Sequence, residues 1–263
     1  MAADLSMALV LHRQGKLEAA EALYLEALAA EPRHADASHL LGVLRHQQNR
    51  TAEALSLVEA ALKEQPRNVE MLSNYGGMLK TLGRAAEAMA AYDAAIAVKP
   101  DHAGALNGRG AVLLDANRYE EALASYDAAL AADPDFAVAL ANRGRALQFL
   151  GRFAEARADF ERALALDPDK HGTYLDYVET TKVTPDDRLL PQMQALLARD
   201  DLPDEGRIQL EFALAKAKSD LGDERGSFRH LMRGNALKRT HAHMTRRNRR
   251  ASSRAWRRLL PRN

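Results

Sequence analysis

The nine histidines are the side chains that come closest to forming a metal or catalytic site in this sequence, which has no cysteine. His12 and His46 occupy equivalent positions in successive copies of a repeated segment, and His34 and His102 stand where one copy meets the next. A metal site needs two or three converging ligands, and this spacing supplies one histidine at a time. Serine, histidine and aspartate are plentiful, but no spacing sets them out as a catalytic triad. We therefore predict no enzyme activity, no metal and no cofactor.

Three asparagines are better placed for binding than the histidines are for catalysis. Asn74 and Asn142 occupy equivalent positions, and Asn107 stands one position earlier than its equivalents. An amide side chain holds both a donor and an acceptor, so it can pair with a peptide backbone whatever the peptide sequence. The alternative is that these asparagines are ordinary helix-surface residues bonded to water or to local backbone.

The elements that position these side chains repeat with a period of 34, which is typical of stacked helix–turn–helix units. The five copies are residues 1–34, 35–68, 69–102, 103–136 and 137–170. Position 20 of every copy is alanine, and position 27 is alanine again, so two small residues share one face of the second helix. Between them stands a large residue that is predicted to fill the space between helices: Tyr24, Val58, Tyr92, Tyr126 and Phe160.

The residues at the ends of the helices also recur in every copy. Position 15 of each copy is glycine or asparagine, the two residues that best tolerate the left-handed conformation that ends a helix. Position 32 is always proline, which stops the second helix and can start the next one. These patterns predict an all-α fold, a right-handed α-solenoid of stacked helix–turn–helix units.

In such a solenoid the first helix of each pair lines the concave side, so positions 2, 5, 6, 9, 12 and 13 of each copy should face a groove. The three asparagines fall on this surface, and His46, Lys80 and Arg145 join them as candidates that could favour acidic or phosphate-bearing segments. We predict a scaffold that binds a protein or peptide in this groove.

The repeated residues resemble the tetratricopeptide repeat family, whose pattern has a small residue at position 8, alanine at 20, an aromatic at 24, alanine at 27 and proline at 32. The resemblance covers residues 1–170. The asparagines are similar to the asparagine ladder in the repeat arrays of bacterial relatives of O-linked N-acetylglucosamine transferase, but Gly108 interrupts the series. Position 5 has no lysine in any copy, so the chaperone-binding clamp of some family members is absent.

The repeat pattern weakens after Pro168 and returns near residue 205. Residues 171–204 are predicted to be capping and connecting helices, and residues 205–239 a degenerate repeat. In this last unit Ala215 takes the small position, Gly222 the turn, and Leu231 the position of the large packing residue.

The segment FALAKAKSDLGDERGSFRHLMRGNALKR resembles the junction that precedes the catalytic domain in bacterial tetratricopeptide-repeat sulfotransferases. That resemblance implies an alternative function, the substrate-recognition arm of such an enzyme. No glycine- and serine-containing phosphate loop follows in this sequence, so the alternative implies a catalytic domain lost or supplied elsewhere.

Charge is divided unevenly along the chain. Positions 1–224 hold 24 bases against 36 acids, whereas positions 225–263 hold 13 bases and no acid. Residues 240–263 are predicted to be a disordered basic tail, and Trp256 with its neighbouring arginines opens a second alternative, nucleic-acid binding. A shifted reading frame would equally explain this composition. No apolar run is long enough for a membrane span and no signal peptide is evident, so we expect a cytoplasmic protein.

Overall fold

The computed structural model describes residues 5–240, which fold into helices joined by short turns, with no strand among them. The all-α solenoid of helical repeats predicted from the sequence is confirmed. The helices of the five regular copies are α1 (Ser6–Arg13), α2 (Leu17–Ala30), α3 (Ala35–Gln47), α4 (Thr51–Glu64), α5 (Val69–Thr81), α6 (Ala85–Val98), α7 (Ala103–Asp115), α8 (Tyr119–Ala132), α9 (Ala137–Phe149) and α10 (Phe153–Leu166). They are followed by α11 (His171–Thr180), α12 (Leu189–Leu197), α13 (Asp204–Asp220) and α14 (residues 224–240).

The chain divides into two compact units, with the boundary between Ala146 and Leu147. In the first unit the two helices of a copy pack together, and the second helix of each copy then packs against the first helix of the next, as α2 does on α3, α4 on α5 and α6 on α7. In the second unit α11 packs on α10 and α13, and α12 also packs on α13. None of the helices of the described residues is long and apolar enough to span a membrane.

In the first unit the repeated small residues lie where the two helices of a copy meet. All ten alanines at positions 20 and 27 are at most 2% exposed. Where position 8 is glycine, an added Cβ would lie 2.7 Å from Val58 Cγ2 at Gly42, and 2.8 Å from Tyr92 Cε1 at Gly76. The large residue at position 24 therefore lies directly on the backbone of the first helix, which leaves little space at position 8, where four copies have glycine and the first has Ala8.

The turn residues adopt the backbone conformation that their types predict. The five residues at position 15 have φ between +58° and +75°, and Gly222 of the degenerate repeat has φ +77°. Immediately after the turn, the second helix begins with a repeated ion pair across its first turn. It joins Arg50 to Glu53, Arg84 to Glu87, Arg118 to Glu121 and Arg152 to Glu155.

A buried polar network holds the irregular segment between α11 and α12. The Asp187 side chain is only 1% exposed, and its Oδ2 accepts hydrogen bonds from Arg157 at 2.9 Å and from the Tyr177 hydroxyl at 2.8 Å. Its Oδ1 accepts from the Leu189 N–H at 3.0 Å, which caps the start of α12. Burial and the neighbouring carboxylate raise the pKa of the Tyr177 hydroxyl well above its usual value. This network fixes a segment that the sequence marks only as a helix breaker.

The degenerate repeat is less tightly packed than its alignment with the regular copies suggests. Ala215 is 3% exposed, as its position predicts, but Leu231 is 42% exposed, whereas the equivalent residues of the regular copies are 0–4% exposed. Apart from Thr240, which ends the described part of α14, the predicted basic tail and its Trp256 lie outside the described residues.

Candidate peptide-binding groove

The first of the candidate amides, Asn74, pairs with a histidine of the preceding copy. Asn74 Nδ2 on α5 lies 2.9 Å from His39 Nε2 on α3, so the amide donates to an unprotonated ring nitrogen. Burial lowers the pKa of His39, and this effect outweighs the opposing influence of Asp36 and Glu70. The neutral imidazole that the hydrogen bond requires is therefore the form that the fold favours.

The other two candidate amides pair with each other in the same way. Asn142 on α9 donates from Nδ2 to Asn107 Oδ1 on α7 at 2.9 Å. Both side chains are half-buried. A primary amide can donate two hydrogen bonds and accept two, so each side chain keeps hydrogen-bonding capacity beyond this single contact.

These contacts join positions that are 35 apart in a chain whose repeat period is 34. The same offset recurs further along the first helices, where His12 Nε2 lies 2.9 Å from Gln47 Oε1 and Lys80 Nζ lies 2.8 Å from Asp115 Oδ2. A polar residue at one position of a first helix thus bonds the residue one position later in the next first helix. An alignment of equivalent positions conceals these pairs, whereas a search for polar residues at a spacing of 35 would have found them.

At Gly108, where the ladder is interrupted, a neighbouring ring occupies the space that a side chain would take. At the same offset, Gly108 on α7 stands where a polar partner for Ser73 on α5 would be. A Cβ on Gly108 would lie 2.3 Å from both Cε1 and Cζ of Tyr92. Tyr92 is 4% exposed, and burial raises the pKa of its hydroxyl to about 12. At the equivalent place the smaller Val58 stands before Asn74, but Tyr126 stands before Asn142, so a ring at this place does not by itself exclude an amide.

The three remaining candidates differ in how available they are to a ligand. His46 is partly buried on α3, with its Nδ1 3.1 Å from Thr51 Oγ1, and burial lowers its pKa. Lys80 is already paired with Asp115. Arg145 is exposed on α9 and forms no salt bridge with any residue that the structure describes. Among these three, Arg145 alone presents a charge that a bound anion could meet directly.

Within the described residues, no group of three or more histidine, aspartate or glutamate side chains could hold a metal ion. The polar side chains of the first helices instead form a row of pairs between successive copies at two levels: His39–Asn74 and Asn107–Asn142 at positions 5 and 6, and His12–Gln47 and Lys80–Asp115 at positions 12 and 13. Chemically this row can exchange hydrogen bonds with a polar chain lying across it.

Comparison with known proteins identifies the repeat. A family model described as tetratricopeptide repeat matches residues 5–69, 47–99 and 79–136, and a second model of the same description matches residues 137–170. A search of curated proteins finds no match.

Several solved structures share the fold. The chain is similar to a tetratricopeptide repeat protein from Parabacteroides merdae, with 17% identity, coverage of 89% of this chain and 91% of that one, and a TM-score of 0.62. For PilF from Pseudomonas aeruginosa the identity is 17%, the coverage 84% and 96%, and the TM-score 0.63. For PilW, described as a widely conserved type IV pilus biogenesis factor, the identity is 21%, the coverage 88% of this chain and 90% of that one, and the TM-score 0.59. At these identities the likeness shows the fold.

Proposed function

Because this chain belongs to the tetratricopeptide repeat family, whose fold is typical of protein–protein interaction, we propose that it is a scaffold that binds an extended segment of another protein. The proposed binding surface is the row of polar side chains on the first helices of residues 5–146, centred on Asn74, Asn107 and Asn142. We further propose that the chain acts by binding alone, without catalysis, and in the cytoplasm.

The observation that carries this proposal is the pairing of the amides with partners on the neighbouring helix. Each contact fixes the orientation of a half-buried amide while leaving further donors and acceptors. A preorganised side chain loses little conformational entropy when it binds, so modest hydrogen bonds along an extended peptide can add up to a useful affinity. Hydrogen bonds to the peptide backbone would make recognition tolerant of sequence.

A preference for acidic segments would come from Arg145 and not from Lys80. The ammonium of Lys80 lies 2.8 Å from Asp115, so an incoming carboxylate would have to compete with an existing partner. Arg145 has no such competitor among the described residues. We propose that an acidic residue of the ligand lies near Arg145.

The proposal is tested by selecting binders from a library of random dodecapeptides and measuring the affinity of the best one by fluorescence anisotropy. The triple variant Asn74→Ala, Asn107→Ala, Asn142→Ala is expected to bind at least tenfold more weakly with unchanged helix content. A matched control replaces the turn residues, Asn49→Gly and Asn117→Gly, which also removes amides but at positive φ, where glycine is well tolerated. Unchanged affinity in the triple variant would show that the amides do not bind the peptide.

The second candidate function is the recognition arm of a sulfotransferase, which the sequence of residues 202–239 favours by resemblance. Sulfate transfer from a nucleotide donor by this chain alone would contradict the proposal of binding without catalysis. Reconstitution of such an activity by adding a separate catalytic domain would support the recognition-arm function. Nucleic-acid binding through the tail is tested by salt-dependent binding that is lost on truncation after Arg239.

A further inference from the structure

Helix α14 carries an exposed apolar strip that the proposed function does not use. Phe228, Leu231 and Met232 are 62%, 42% and 48% exposed, and their spacing of three and four positions places them on one face of the helix. The opposite face contains His230, whose Nδ1 lies 2.7 Å from the buried Glu211 on α13, and the buried Gly234. Phe228 and Met232 therefore lie on the side of α14 turned away from α13, and Leu231 lies at the edge of that side, where it also lines a cavity with residues of α13.

The regular copies show what normally covers this face. Leu231 corresponds to the large residue at position 24, which is at most 4% exposed in all five regular copies. In the first unit the second helix of a copy packs on the first helix of the next, and the ring of Tyr92 reaches the α7 backbone at Gly108. No helix of the described residues follows α14 to provide that cover. The repeat geometry thus specifies a helix as the shape that fits the strip.

A cavity of about 400 Å³ adjoins the strip, lined by the apolar Leu175, Phe212, Ala215 and Leu231 and by the polar Glu179, Lys216, Ser219 and Ser227. A cavity of this volume is large enough for one or two large apolar side chains. Leu231 stands at position 24, where four of the five regular copies have tyrosine or phenylalanine and one has valine.

The charge around the strip defines the chemistry of the partner. Arg225, Arg229 and Arg233 follow one edge of the strip, and none of them forms a salt bridge with another described residue. On the other edge Lys238 Nζ lies 5.9 Å from the centre of the Phe212 ring. Glu224 is the single acidic residue of α14. An occupant with carboxylates beside its apolar face would pair with these cations as they become desolvated.

We propose that the strip on α14 binds an amphipathic helix of another protein, which inserts a large apolar side chain beside Leu231 and carries acidic residues along its flank. The remaining residues of this chain do not have that chemistry, since residues 241–263 contain eight arginines and no acid. The first helix of a second copy, which would continue the repeat array end to end, does not have it either. Helix α1 exposes Met7 and Val10 but has His12 and Arg13 beside them and no acid.

The test uses the full chain and two fluorescent stapled helices, five turns long, with the same leucine stripe. One helix carries glutamates along its flank, and its twin carries lysines at the same positions. Anisotropy at physiological salt is expected to show at least tenfold tighter binding of the glutamate helix. The double variant Phe228→Ser, Leu231→Ser should weaken that binding at least tenfold, and the triple reversal Arg225→Glu, Arg229→Glu, Arg233→Glu should reverse the preference between the twins.

Two controls distinguish binding at the strip from nonspecific hydrophobic or electrostatic binding elsewhere on the chain. Leu82→Ser removes another exposed leucine, which is 40% exposed, and Arg67→Glu reverses another exposed arginine; both should leave binding unchanged. Equal affinity for the twins, or binding that survives the serine substitutions, would overturn the proposal. Failure to bind the glutamate helix would overturn it too, as would strip-dependent binding of phosphatidylserine vesicles in place of that helix. The strip variants leave Asn74, Asn107 and Asn142 intact, so loss of peptide binding to the groove would be a separate result.

Discussion

Replacement of Gly108 by alanine tests whether the ring of Tyr92 is what interrupts the amide ladder. The new Cβ would lie 2.3 Å from two carbons of the ring, where about 3.5–4.0 Å is the usual separation. The ring has little room to retreat, because Tyr92 is 4% exposed and also lies against the Gly76 backbone. Overpacking of this kind costs about 1–3 kcal/mol, and relief of the poor helix propensity of glycine returns about 0.5–1 kcal/mol. We expect a net destabilisation of about 1–2 kcal/mol.

Gly77 provides the matched control because it lies in a first helix and contacts the same tyrosine. A Cβ on Gly77 would lie 3.5 Å from Tyr92 Oη, an ordinary contact, so Gly77→Ala should stabilise the fold by about 0.5–1 kcal/mol. The free energy of unfolding is measured by urea titration followed by circular dichroism. Amide hydrogen exchange in α7 locates the effect.

The double variant Tyr92→Val, Gly108→Ala completes the test. Valine is the residue that stands at the equivalent position before Asn74, so in the Tyr92→Val background the alanine should become neutral or stabilising. The double-mutant cycle should then give a coupling of at least about 1 kcal/mol. The steric explanation is refuted if Gly108→Ala is as stable as Gly77→Ala, or if the cycle shows no coupling.

Three further perturbations test the packing and the buried polar groups. Because burial lowers the pKa of His39, the unfolded chain binds a proton first as the pH falls below 6.5, so stability is complete above that pH and decreases below it. His39→Asn should retain the pairing with Asn74 and show a smaller loss of unfolding free energy between pH 7.5 and 5.5; an unchanged pH dependence would exclude His39 as a source. Asp187→Asn should destabilise the second unit by about 1–3 kcal/mol in urea titration, because a neutral amide replaces the buried carboxylate that accepts from Arg157 and Tyr177, while Glu161 stays paired with Arg157; a loss no larger than that of an exposed aspartate would contradict this. Ala122→Trp should unfold the adjacent repeats, seen as lost helical circular dichroism, because Ala122 is fully buried; a native signal would contradict the close packing.

Much of the fold could be predicted from the sequence because its determinants are local and repeated. The alanines at positions 20 and 27 specify the packing face of each second helix, and glycine or asparagine at position 15 specifies the turn. Both patterns depend on the geometry of a single helical pair, so the residues of one copy are sufficient to predict the structure of that copy. The same logic located Gly222 as a turn in the degenerate repeat.

The candidate site was less accessible to sequence reasoning. The asparagines could be identified by residue type, but their partners depend on how one helical pair is displaced relative to the next. Asn74 bonds His39, a residue that the sequence did not single out, and Lys80 is engaged by Asp115. Residues at equivalent positions have the same neighbours inside their own copies. A contact between two copies instead joins a residue to the one that follows its equivalent in the next copy.

By itself the sequence determined the class of element, the period and the identity of the small residues that let helices approach closely, because these follow from steric limits within a single repeat. Only the tertiary structure decided that the Tyr92 ring lies against Gly108, that Leu231 lies exposed, and that Asp187 is buried against Arg157. Each of these depends on another part of the chain: the Tyr92 ring lies against Gly108, no following helix of the described residues covers Leu231, and Arg157 lies beside Asp187. Which residues come close in this way is decided only when the helices pack.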